Sequence, residues 1–146
     1  MKRRFCWLLG ISFAALLLTS CGDEIARISL AGPGEGSTEF SHNGGTIVLW
    51  SDFSVKYQQR PFLQYQVEFY QKGDLVAVTS CSPLDVNVYL MKSSSQIGGV
   101  TTTKYQGKMK CDVSLPAGTY TVSTVFSVDG RNVEVYKSDL VLRSSD

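Results

Sequence analysis

The chain has 146 residues, and its 14 Lys and Arg against 13 Asp and Glu leave a formal charge of +1, which gives no electrostatic ground for a nucleic-acid partner. One histidine and four cysteines without close spacing leave little with which to build a metal site. Lys2, Arg3 and Arg4 open the chain, Phe5 to Leu18 is almost wholly apolar, and small residues follow, which is the order of a secretory leader. The apolar run is shorter than the ~20 residues that span a bilayer core and soon meets Asp23 and Glu24, so it reads as an export signal that is removed.

The leader ends in Leu18-Thr19-Ser20-Cys21, which resembles the lipobox of bacterial lipoproteins. The alternative is a plain secretory leader that ends by chance in a cysteine. The resemblance covers the leader alone. It implies cleavage before Cys21, a diacylglyceryl group on the Cys21 thiol and an acylated new amino terminus. Several acyl chains, at about 0.8 kcal/mol per buried CH₂, anchor a protein stably where one does not. Gly22 implies, by likeness to enterobacterial lipoproteins, the outer membrane rather than the inner. Asp23-Glu24 reads either as a solvated tether or, by likeness to some Bacteroidota lipoproteins, as a surface-export signal, which leaves the membrane face open.

The expected organisation is a leader over 1–20, a lipidated Cys21 with a tether to 24, and one domain over 25–146. From Cys21 onward 126 residues remain, enough for one proper core and too few for two, with eleven basic residues against 13 acidic ones and a balance of −2. A first strand from Ile25 leaves a tether of roughly 10 to 14 Å. A chain flexible as far as Gly45 instead spans about 27 Å.

Period-two alternation dominates the mature part. Strands are expected over Ile25–Ala31, Thr46–Asp52 and Val86–Met91, with Gly32-Pro33-Gly34-Glu35-Gly36-Ser37 as a loop and Ser93 to Gly99 as another. Leu63, Tyr65, Val67 and Phe69 share one face of a strand, and Lys72-Gly73-Asp74 turns it into Leu75–Val78 as a hairpin. Met109, Cys111, Val113 and Leu115 share a face further on. Tyr120, Val122, Thr124, Phe126 and Val128 share another, and Asp129-Gly130 leads to a return strand from Val133, with a change of parity that predicts a bulge at Lys137 to Asp139. The fold class expected is all-β: one antiparallel sandwich of about seven to nine strands.

Cys81 and Cys111 are the pair left in an exported, oxidising setting, and a disulfide is the expected state, against two buried thiols or a metal site. Leu115-Pro116-Ala117-Gly118-Thr119-Tyr120-Thr121-Val122 resembles the corner of immunoglobulin-like and fibronectin type III domains. There a Gly, here Gly118, precedes a tyrosine, here Tyr120, whose hydroxyl bonds back to backbone. The resemblance assigns the first hairpin as strands C and C′, Val86–Met91 as D, Lys108–Leu115 as E, and the last two strands as F and G. The cysteines then fall on C′ and E rather than B and F, and no tryptophan sits on C.

No nucleophile elbow, phosphate-binding glycine motif or zinc spacing occurs, so neither catalysis nor a cofactor is expected. His42, within Ser41-His42-Asn43-Gly44-Gly45, reads as a solvated loop residue. Asp52, Glu68, Asp112 and Glu134 read as solubilising groups on polar faces or turns. Tyr57, Tyr70, Tyr89 and Tyr136 fall off the core parity and are candidates for a recognition surface. Two functions follow: a non-catalytic module, held on the membrane through Cys21, that binds or scaffolds a protein of the cell envelope, or an inhibitor or glycan binder such as the lysozyme inhibitors, whose motifs are not found here.

Overall fold

A computed structural model describes residues 22–145; the leader, Cys21 and the expected cleavage and acylation lie outside the described residues. Nine strands run β1 (Glu24–Ile28), β2 (Gly34–His42), β3 (Gly45–Tyr57), β4 (Phe62–Gln71), β5 (Asp74–Cys81), β6 (Val86–Ile97), β7 (Val100–Leu115), β8 (Gly118–Asp129) and β9 (Glu134–Ser144). They form two antiparallel sheets, ordered β1-β9-β3-β7-β6 and β2-β8-β4-β5, that face each other as an all-β sandwich.

The alternation in the sequence sets the core. Leu63, Tyr65, Val67 and Phe69 of β4 and Tyr120, Val122 and Phe126 of β8 meet Ile47, Leu49, Phe53 and Val55 of β3, Met109 of β7, and Leu140 and Leu142 of β9. Phe126 joins the sheets, with its ring 4.7 Å from that of Tyr65 and 5.9 Å from that of Phe53. The β4–β5 turn is the expected one: Lys72 and Gly73 both adopt positive φ, as a two-residue type I′ turn requires. Cys81, which ends β5, is bonded to Cys111 of β7 with Cα atoms 5.8 Å apart, so the disulfide ties one sheet to the other. After β7 the chain crosses between sheets, and the Tyr120 hydroxyl donates 2.6 Å to the carbonyl of Pro116 while its ring stacks on Phe40.

Several expectations are corrected. The Gly-rich segment from Gly32 is not a loop throughout: β2 begins at Gly34 and pairs along its whole length with β8. Gly36 sits where a Cβ would come within 2.7 Å of the Ile28 side chain, so its glycine reflects close packing of β1 on β2. Ser93 to Ile97 continue β6, and the Gly98-Gly99 pair, both at positive φ, closes a two-residue hairpin into β7. The expected C-terminal hairpin does not form, because β8 lies in the four-stranded sheet and β9 between β1 and β3 in the other.

The bulge in β9 falls at Tyr136, one residue before the predicted stretch: Ser54 pairs with Lys137 and Val55 with Val135. The partition β3-β7-β6 against β8-β4-β5 agrees with strands B, E and D against F, C and C′ of an immunoglobulin-like sandwich. The ninth strand leaves F, where G would sit, and β2 takes its place.

Candidate functional site

Strand β3 is paired on both sides, and Ile47 to Phe53 are buried whether they point into the sandwich or out of it. On the outward side Val48 and Trp50 join Val141 of β9 in a second apolar cluster, apart from the main core. Arg143 of β9 lies over the Trp50 ring, 5.4 Å from its centroid. Trp50 is 8% exposed, and its indole Nε1 has no hydrogen-bond partner among the described residues.

Next along the same face, Asp52 of β3 and Asp139 of β9 stand directly opposite one another, each 5% exposed. Two neighbouring carboxylates stay ionised only with cations at hand. Arg27 of β1 supplies one, with Nη1 2.9 Å from Asp139 and 3.3 Å from Asp52, and Lys137 supplies the other at 2.9 Å from Asp52 and 3.8 Å from Asp139. Burial pushes the Asp52 carboxyl up, but the hydrogen bonds from Lys137 and Arg27 outweigh it and hold the group below the usual carboxylate range. Asp52 accepts from Arg27 and Lys137 and Asp139 accepts from Arg27, contacts that fasten β1, β3 and β9 together. Asp52 is thus not the solvated residue expected.

His42 is likewise corrected. It ends β2 with its ring buried, and Nε2 donates to the carbonyl of Gly45 at 3.1 Å. Tyr136 donates to Glu134 at 2.6 Å and Tyr70 to Glu68, both on strand surfaces, while Asp112 is exposed on β7. Tyr57, Tyr89 and Tyr136 sit on β3, β6 and β9 of the five-stranded sheet and Tyr70 on β4 of the other, and among the described residues no two of these four rings pair. Among the described residues no group of three His, Cys, Asp or Glu side chains could hold a metal ion.

Two surfaces carry exposed apolar side chains. The first is β5, an edge of the four-stranded sheet, where Leu75, Val76 and Val78 are 53%, 45% and 49% exposed. A register shift opposite Phe69 and Tyr70 places Val76 outside the pairing. The second is β6, an edge of the five-stranded sheet, where shifts at Asn87 and Leu90 turn Val88, Leu90 and Met91 to the outside. Val88 and Leu90 border a groove of about 370 Å³ with Val48, Trp50, Lys108 and, at its far end, Gly22. Gly22 and Asp23 are bound to the domain: the Gly22 carbonyl accepts from Arg143 at 3.3 Å and the Asp23 carbonyl from the Ser144 N–H at 3.1 Å.

The sequence reading missed Trp50 and its cluster. The signals were Ile47-Val48-Leu49-Trp50 and Leu140-Val141-Leu142, unbroken apolar runs that mark strands covered on both faces. No protein-family model matches this chain, and no curated protein matches it.

Proposed function

We propose that the chain is a lipoprotein of the bacterial cell envelope, held on a membrane through lipid on Cys21, whose sandwich is a non-catalytic module that binds or scaffolds another envelope protein. The observation that carries the reading is β5: an edge strand paired on one side only, with Leu75, Val76 and Val78 exposed. Such an edge offers backbone N–H and C=O groups to an extended segment of a partner, and its side chains supply the contact area. The lipobox resemblance at Leu18–Cys21 supports the anchor, and the neutralised Asp52–Asp139 pair supports a structural use of the buried acids.

The test places a photoreactive residue at Val78 in the membrane-bound protein. A discrete protein adduct that Val76→Asp abolishes is expected, and no adduct from Leu75, Val76 or Val78 overturns the partner face. For the anchor, Cys21→Ser is expected to remove acyl labelling and release the protein from the membrane fraction, and unchanged labelling overturns it.

A further inference from the structure

We infer that the outer face of the five-stranded sheet around Trp50 lies against the lipid surface, with Val88 and Leu90 entering the headgroup region and Lys108 and Arg143 meeting anionic phosphates. The inference rests on the lipid reading of Cys21 and adds the orientation of the domain to it. The first ground is covalent. Gly22 lines one end of the groove that holds Val48, Trp50, Val88, Leu90 and Lys108, and consecutive Cα atoms across a trans peptide are about 3.8 Å apart. The anchored residue is therefore one peptide from the groove.

The second ground is that no free tether intervenes. Arg143 and Ser144 bind the carbonyls of Gly22 and Asp23, so the domain cannot swing away from its anchor without breaking those contacts. The surface beside Gly22 must then be the one that meets the bilayer. The third ground is its chemistry. Val88 and Leu90 are exposed although apolar, and among the described residues neither Lys108 nor Arg143 is paired with a carboxylate. Beneath them lies a tryptophan whose N–H lacks an acceptor. Apolar side chains, tryptophan and unpaired cations together are the composition that membrane interfaces select, the cations drawn by anionic lipid.

Trp50 reports on this directly, because Trp7 departs with the leader and no other tryptophan remains. Mature lipidated protein is reconstituted in vesicles of phosphatidylethanolamine and phosphatidylglycerol whose acyl chains carry bromine near the headgroup. A face seated at the interface sinks about 5–10 Å, within reach of that quencher, so emission roughly halved relative to unbrominated vesicles is expected. Val88→Asp with Leu90→Asp, both at exposed positions, is expected to abolish most of the quenching and leave acylation intact. Trp50 emission that is unchanged by brominated lipid overturns the inference, whether the indole is open to aqueous iodide or shielded from it by the protein's own acyl chain or a second copy. Mass spectrometry of the same sample separates the two readings. An unacylated Cys21 overturns the anchor and the docking with it, whereas acylated protein with unquenched Trp50 overturns the docking alone.

Discussion

On β8, a central strand of the four-stranded sheet, the outward residues Thr121, Val125 and Ser127 stand in solvent. On β3, the central strand of the other sheet, the outward residues Val48, Trp50 and Asp52 are buried. The period is the same; the covering differs. Beside the outward residues of β8 stand Glu35, Glu39 and Gln66, acids and amides that no cation bridges among the described residues, whereas across β3 lie Arg27, Lys137 and Arg143, whose apolar stems cover what lies below while their charged ends bind Asp52, Asp139 and the Gly22 carbonyl. Strand period thus assigns a residue to a face, and whether side chains of adjacent strands are bridged across it decides whether that face is covered.

Five variants break or sharpen this contrast. The largest effect is expected from Cys81→Ala with Cys111→Ala, which removes the covalent tie between the two sheets and leaves their packed core. Opening a closed loop with a sequence separation of 30 costs about 3 to 4 kcal/mol in the chain-entropy model, read as a lower urea midpoint. Next, Trp50→Ala is expected to cost about 2 to 3 kcal/mol, below the range for a fully enclosed tryptophan because one side is the Arg143 lid. Gln66→Ala on the opposite face is expected to stay within about 0.5 kcal/mol, and equal effects would erase the contrast.

Asp52→Asn is expected to cost about 1 to 2 kcal/mol at pH 7, discounted because Arg27 and Lys137 are 34% and 45% exposed at their side chains. Since folding lowers the Asp52 pKa, its contribution is full above the unfolded value of 3.8 and is lost as pH falls through the folded value. The gap between wild type and variant in denaturant melts is therefore expected to hold from neutral pH down to about 4 and to close below it; a gap that widens in acid contradicts the ion-pair account. The smallest effect on stability is expected from Val78→Asp, within about 0.5 kcal/mol because the residue is exposed, while the adduct formed from β5 disappears.

Much of the fold is legible in the residues. Leu63, Tyr65, Val67 and Phe69 announce a half-buried strand, Lys72-Gly73 a tight hairpin and Tyr120 the crossing between sheets, because each depends on neighbours in sequence. What stays hidden depends on distant partners. Asp129-Gly130 looks like a hairpin turn, yet β9 is drawn to β3 and β1, where Leu140 and Leu142 complete the core. Gly98-Gly99 resembles a loop by composition, although a pair of positive-φ glycines is also what the tightest hairpin needs. Of the candidate surfaces, the four off-parity tyrosines do not converge, and Val88 with Leu90 reach the Trp50 groove through two bulges that no periodicity predicts.

The position of β9 also governs the timing of folding. It is the last described strand to be made and yet lies between β1 and β3, with residues such as Arg27 and Asp139 meeting across 112 positions of chain. Until it arrives, β1 has no neighbour in its own sheet, the inner edge of β3 is unpaired and Asp52 lacks the ammonium of Lys137. Pairings this remote in sequence form slowly. β1 therefore stays open until β9 is made, and the insertion of β9 between β1 and β3 is the closing step of that sheet.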